Sequence, residues 1–261
     1  TKMKMFSSCC KIKMGDHTES ILASEYALSL MTARRAGIGV DMGPVRGILA
    51  PVKNNTVKHT GALPILKAIE STSKQFTQNS LRTGATVVNY PVFNWEIMDI
   101  LEYKNNQGSN TNRARFIDYS IGIPNIFIRR VLNKENFTLF SSEDVPELFE
   151  HYGDDYRFTR AYENYEADPK IRKKTLDANT IFNKLVKERV GTGRIYIHFV
   201  DNVNKQGMFD EPVTQTNLCS EIFLPTRPMT FEGLNKTKYV DIDDYDLDDG
   251  MISLCILGCI N

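Results

Sequence analysis

The stretch "QTNLCSEIFLP", residues 215–225, sets an amide, a thiol and a carboxylate at alternate positions: Asn217, Cys219 and Glu221. In an extended strand, alternate side chains project to one face, so the three would stand together. A carboxylate two residues from a thiol suits a general base beside a sulfur-centred reactant. An amide offers both a donor and an acceptor, and can orient a hydroxyl between them. A strand with one Cys and one Glu is also ordinary at a sheet edge or in a barrel wall. By itself the triplet leaves both readings open.

The chain has 261 residues, 41% hydrophobic and 25% charged, an ordinary globular composition long enough for one large domain or two modest ones. Lys+Arg and Asp+Glu each total 32. A net charge of zero argues against a nucleic-acid-coating protein, whose phosphate contacts need a basic excess. No Pro-rich, Gly/Ser-rich or repeated segment marks a linker or an array. The apolar stretch "MISLCILGCI", residues 251–260, is about half of what spans a bilayer, and reads as a buried strand. The opening "TKMKMFSSCC" lacks a signal-peptide core, so no membrane partner and a soluble, cytoplasmic protein are expected.

Five cysteines, Cys9, Cys10, Cys219, Cys255 and Cys259, are too few and too scattered for a secreted disulfide framework. There is no CxxC pair, and His17, His59, His151 and His198 do not cluster with the thiols, so no metal site is expected. The acidic run at 239–250 fails the EF-hand pattern: counted from Asp244, the Gly position is Asp249 and the twelfth is Cys255. It reads as a solvated loop.

The elements alternate. A short strand in "MFSSCCKIKMG" leads to a helix from Asp16, capped by Asp16 or Thr18, with Arg34 and Arg35 before a terminating Gly37. "GIGVDMG" is a strand, "GPVRGILAPVKNNTV" a turn-rich loop, "TGALPILKAIESTSKQF" a helix, "TQNSLRTGA" a polar loop and "TVVNYPVF" a strand. Helix "NWEIMDILEY", with Trp95 as core, strand "FIDYSIGIP" and helix "NIFIRRVLN" follow. In "TLDANTIFNKLVKERVGTG", Ile181, Leu185 and Val186 form an apolar stripe and Gly191 stops the helix. "RIYIHFVD", "NLCSEIFLP" and "MISLCILGCI" read as strands. Alternating strands and helices predict an α/β domain on mostly parallel strands.

The segments "FSSC", "RAGIGV", "HTGALP", "NSLRTGA", "YKNNQGSNTNRARFIDYSIGI", "FSSEDVPELF", "GTGRIYIHFVDNVN" and "NLCSEIFLPT" occur in one order. Together, nearly end to end, they resemble the large catalytic subunit of class I aerobic ribonucleotide reductases of bacterial and phage type. The resemblance implies that residues 1–261 are a single partial catalytic domain, roughly the first half of a ten-stranded α/β barrel. It places Asn217, Cys219 and Glu221 on the barrel's finger loop. Cys219 would become a thiyl radical and take the 3′ hydrogen of a ribonucleoside diphosphate. Glu221 would take the 3′ hydroxyl proton, and Asn217 would hold the ribose hydroxyls. Sulfur supports one-electron chemistry of this kind.

By the same resemblance, Cys9 and Cys255 are the dithiol that forms a Cys9–Cys255 disulfide on turnover, whereas Cys10 and Cys259 are packing thiols. Ser8, Gly37 and Leu218 fall in the substrate site, with Gln78 and Arg82 as candidates for reading the substrate base. Asp16, His17, Thr18, Arg46 and Lys53 match the site for allosteric dNTP or ATP effectors, whose elements span about 16–84. Read without the resemblance, Asp16 is a helix cap and Gly37 equally an ordinary turn glycine.

The family further implies a small radical-generating subunit with a di-metal tyrosyl-radical cofactor, thioredoxin or glutaredoxin as reductant, and a homodimer of the completed large subunit. The rest of the barrel, its radical-relay tyrosines and its C-terminal cysteines would come from a longer chain or a second polypeptide. This chain alone is expected to be inactive. Two other expectations compete: a non-catalytic dNTP-binding module whose cysteines only pack, and a related radical enzyme that needs no partner subunit.

Overall fold

Period-two patterning in five strands sorts the chain into a packed face and a polar one. The computed structural model of the protein describes residues 7–76, 83–236 and 250–256. The strands are β1 (Cys9–Lys13), β2 (Gly37–Asp41), β3 (Pro51–Val52), β4 (Val57–Lys58), β5 (Thr86–Pro91), β6 (Asp118–Ile123), β7 (Asn136–Phe140), β8 (Lys173–Asp177), β9 (Ile195–Phe199) and β10 (Ser253–Cys255). The helices are α1 (Thr18–Ala33), α2 (Ala62–Gln75), α3 (Ile97–Ile100), α4 (Asn125–Asn133), α5 (Pro146–Glu150), α6 (Asp155–Ala167), α7 (Ala178–Thr192), α8 (Val200–Gln206) and α9 (Phe231–Lys236). The main sheet runs β10-β1-β2-β5-β6-β9. All its pairings are parallel except that of β10 with β1.

One set of alternate residues, including Cys10, Ile12, Ile38, Val40, Val88, Tyr119 and Ile121, enters the hydrophobic core with Ala27 of α1, Leu66 and Ile69 of α2 and Leu185 of α7. Full burial of such a side chain contributes about 1.5–3 kcal/mol. Beside it, Phe137 of β7 stacks on Tyr162 of α6 at 5.0 Å and meets Phe127 of α4 edge-on at 4.8 Å. The intervening set, with Cys9, Lys11, Gly37, Gly39, Asn89, Ser120, Gly122 and His198, is mostly small or polar, Val87 of β5 being an apolar exception. This second face receives residues 213–226.

The mostly parallel α/β class agrees with the sequence reading; several local expectations do not hold. Helix α1 is capped neither by Asp16 nor by Thr18: His17 Nδ1 accepts from the Ser20 N–H at 3.2 Å, and Asp16 is held by Arg46. The helix ends at Ala33, where Arg35 turns to φ 74, so Gly37 is already in β2. Gly191 lies within α7, and Gly193 at φ 66 stops that helix. Ile181 and Leu185 are buried there, but Val186, about 100° round the helix from Leu185, is 37% exposed. The residues "TLD" belong to β8, not to that helix, and Asp177 caps it through the Thr180 N–H. Trp95 is half-buried and sits between the cations of Arg172 and Lys174. A small hairpin, β3–β4, occupies the loop after Arg46.

The largest correction concerns residues 215–225, which form a turn rather than a strand. The strand expected over 251–260 is seen as β10 alone, and residues 257–261, with Cys259, lie outside the described residues. So do residues 239–249 of the acidic run.

Candidate active site

Asn217 builds the turn. Its backbone N–H donates to the Ile222 carbonyl at 3.2 Å, and its carbonyl accepts from the Ser220 N–H at 3.2 Å. Its Oδ1 accepts from the Glu221 and Ile222 N–H groups, each at 3.1 Å, and its Nδ2 donates to Glu221 Oε1 at 2.7 Å. Ser220 takes the left-handed φ of 63 that the reversal requires. Asn217 is fully buried, while Cys219 and Glu221 are exposed at the tip. The amide and the carboxylate are therefore brought together by chain reversal and not by strand alternation.

The polar face grips this loop, β1 on both legs and β2, β5 and β6 on the leg before the turn. Lys11 Nζ donates to the Gln215 carbonyl at 3.0 Å and the Leu224 carbonyl at 2.6 Å. Asn89 accepts from the Thr216 N–H at 3.0 Å and donates back to its carbonyl at 3.3 Å. Thr216 Oγ1 reaches Ser120 Oγ at 3.3 Å, and Ser120 bonds His198 Nδ1 at 3.1 Å. Asp41 accepts from Thr214 Oγ1 at 2.9 Å. A Cβ on Gly39 would lie 2.4 Å from the Thr216 carbonyl oxygen, so the missing side chain sets the depth of the loop.

Three thiols converge here. Cys9 and Cys255 are direct partners in the β1–β10 register, and Ser7 Oγ lies within hydrogen-bond distance of both their carbonyls, at 2.9 and 2.8 Å. The Cys219 thiol is pushed up in pKa by burial, then by the charges of Glu221 and Cys9. Cys255 is also raised, by burial and then by Cys9, with Lys11 opposing. A nucleophilic cysteine needs the opposite arrangement, a lowered pKa in an electropositive setting. At Cys219 the partial burial and the neighbouring negative charges favour the thiol over the thiolate.

The family described as "Ribonucleotide reductase, barrel domain" matches residues 7–261. The chain belongs to that family. It is 38% identical, over its whole length, to the ribonucleoside-diphosphate reductase subunit alpha of Buchnera aphidicola from Acyrthosiphon pisum. It is 40% identical over 88% of its length to ribonucleoside-diphosphate reductase 1 subunit alpha of Escherichia coli K12. With the subunit alpha of enterobacteria phage T4 it shares 35% over 95% of its length. The chain spans about a third of each relative: 33%, 31% and 34% respectively.

In this reductase barrel chain the remaining sequence-read residues fall into two places. Gly37 lies below the loop, where a Cβ would meet Leu218 Cδ2 at 2.5 Å, so the close approach it permits is to the loop itself. Ser8 is exposed, and its carbonyl accepts from the Gly37 N–H at 2.8 Å. Away from the thiols, Arg46 binds Asp16 through Nε at 3.1 and 2.9 Å and through Nη2 at 2.8 Å. Hydrogen bonding to Asp16 raises the Arg46 pKa further. His17 and Thr18 are exposed beside this pair, and Lys53 is exposed at the hairpin tip with φ 47. Arg46 also donates to the Pro51 carbonyl, which ties the hairpin to the ion pair. Gln78 and Arg82 lie outside the described residues. Among the described residues, no group of three or more His, Cys, Asp or Glu is placed to hold a metal, and no helix is long and apolar enough to cross a membrane.

Sequence reasoning missed Lys11, Gly39, Asn89, Ser120 and His198. Their signal was the alternation of small or polar residues with Ile, Val and Tyr along β1, β2, β5, β6 and β9.

Proposed function

We propose that this chain is the part of a ribonucleoside-diphosphate reductase alpha subunit that carries the reacting thiols. The observation that supports it most is the Asn217 turn, which orients Glu221 beside an exposed Cys219 next to the Cys9–Cys255 register pair. In this reading the Cys219 sulfur, as a thiyl, takes the 3′ hydrogen of the substrate ribose. Glu221 takes the 3′ hydroxyl proton. Asn217 holds Glu221 with one Nδ2 hydrogen and keeps the other for a ribose hydroxyl. The Cys9 and Cys255 thiols then give up two hydrogens and become a disulfide. Those two protons and two electrons let the 2′ hydroxyl leave as water with a hydrogen in its place. Opposed antiparallel residues hold their Cβ atoms about 4.5–5.5 Å apart, a small movement from the ~3.8 Å of a disulfide.

The completed enzyme takes the rest of its barrel from a longer chain or a second polypeptide. It works with a small subunit whose di-metal cofactor supplies the radical, and with thioredoxin or glutaredoxin. It dimerises, and binds dNTP or ATP effectors around Asp16, His17, Thr18, Arg46 and Lys53, in the cytoplasm. Gln78 and Arg82 read the substrate base. The test is CDP reduction by the complete protein with its small subunit. Cys219→Ala abolishes reduction and leaves dTTP binding intact. Equal loss of both makes Cys219 structural, and a wild-type complex that binds dTTP but reduces nothing leaves only a nucleotide-binding module.

A further inference from the structure

Lys11 is the least expected residue of the polar face. It is fully buried, and a charged ammonium is costly in such a place unless its donors are used. Alternation along β1 puts it on the same side as Cys9, one step further along the strand. Its partner across the β1–β10 pairing is Ser253, one step from Cys255 on that strand. Its Nζ donates to both legs of the turn, Gln215 and Leu224, and Ser253 Oγ donates to the Pro225 carbonyl next along the exit leg.

We propose that Lys11 is a positioning residue of the thiol site: it ties both legs of the loop that presents Cys219, and it stands as the counter-charge of the Cys9–Cys255 pair. The two roles separate chemically. A neutral amine has two hydrogens, enough for the two carbonyls, whereas the ammonium has a third. That third hydrogen has a use where an anion forms. The groups that act on Lys11 are Cys255 from β10 and Asp41 from β2, which favour its charge, while its own charge holds down His198 of β9. Burial pulls its pKa to about 7 against these. Near neutral pH the lysine can therefore hold or release its proton, and in its ammonium form it offsets negative charge at Cys255. The inference deepens the reductase reading and depends on it only for the link to turnover.

Two variants of the complete protein test it. Lys11→Gln keeps two donors and loses the charge; Lys11→Met loses both. Alkylation resolved by peptide, followed against pH, reads the ionisation of Cys255, and hydrogen exchange reads the loop. Lys11→Gln is expected to raise the Cys255 midpoint by about 1 pH unit or more while residues 215–224 stay protected. An unmoved midpoint overturns the counter-charge role. Lys11→Met is expected to raise the midpoint and also speed exchange across the loop, with kcat for CDP reduced at least tenfold and KM within about threefold. Unchanged exchange in Lys11→Met overturns the tether. Should Lys11→Met fail to fold, Lys11→Gln decides the charge role alone. Alkylation and exchange need no turnover, so a wild-type enzyme that reduces no CDP refutes the reductase reading without touching the result for Lys11.

Discussion

Replacing Asn217 by Ala removes a side chain that makes three hydrogen bonds within one turn. Two of them satisfy the backbone N–H groups of Glu221 and Ile222; the third restrains a carboxylate. A neutral bond of this kind is worth about 1 kcal/mol net, a charge-assisted one about 1.5–3, and a stranded buried donor costs about 1–3. These terms are not additive, and the Glu221 carboxylate is exposed, which weakens its share. A local cost of about 3 kcal/mol is a reasonable middle value, and it corresponds to roughly a hundredfold in the opening of the turn. The cost falls on the loop and not on the sheet, because Asn217 does not contribute to any strand pairing. Hydrogen exchange on the complete protein is the assay. The amides of Ser220, Glu221 and Ile222 should exchange about two orders of magnitude faster, while those of β2 and β5 keep their rates. Asn217→Asp retains the two Oδ1 acceptor positions and opposes Glu221 with a second carboxylate, so it should keep part of the protection and lose reductase activity. Unchanged protection in Asn217→Ala would falsify the claim that this side chain builds the turn.

Gly39→Ala places a Cβ 2.4 Å from the Thr216 carbonyl oxygen. Because the obstacle is backbone, the loop must shift, at a cost of about 1–3 kcal/mol and with loss of CDP reduction; a variant of normal stability and activity refutes the depth-setting role. Burial holds the pKa of His198 down at about 4, against 6.5 for the free side chain. On acidification from 6.5 towards 4 the unfolded chain takes up its proton first, so stability is lost through that window, by about 2 kcal/mol between pH 7 and pH 5. Asp201, raised to about 6 by burial, acts in the opposite sense below pH 6, because there the folded state keeps its proton. His198→Gln removes the first effect and leaves the second, so the wild-type urea midpoint should be lower at pH 5 than at pH 7 by the His198 loss less the Asp201 gain, and the variant should be relatively favoured at pH 5 by about 2 kcal/mol. Equal midpoint changes in both proteins refute this.

Part of the site could be read from residue order alone. The parallel α/β class follows from strands alternating with helices, and the bounds of α4 coincide with the segment "NIFIRRVLN", since Pro124 and the apolar spacing leave little choice. The finger loop was harder. "NLCSEIFLP" alternates like a strand because Asn217, Cys219 and Glu221 happen to be separated by Leu218 and Ser220. What overrides the pattern is the Asn side chain, which offers the backbone of Glu221 and Ile222 a local partner in competition with a ladder. His17 displaced Asp16 as a cap for a related reason. Asp16 has a stronger partner in Arg46, which approaches from a loop 30 residues away, and no reading of the helix start reveals that.

Lys11, Asn89, Ser120 and His198 were illegible for a different reason: each makes sense only once the strand order is known. Taken singly, a Lys or Asn within a strand suggests a solvated edge. In the order β10-β1-β2-β5-β6-β9 they face a loop that arrives from much later in the chain, and their donors and acceptors answer its backbone. This is how a turn carrying an exposed cysteine is held in one place without being part of the sheet. Buried polar groups are costly unless paired, so the four residues and the loop's carbonyls and N–H groups stabilise one position of the loop and penalise others. A reacting group needs that constraint more than it needs any one contact, because an error of about 1 Å in placement can cost about a hundredfold in rate. In the proposed reading the motif residues supply the chemistry, and the polar strand face decides where it happens.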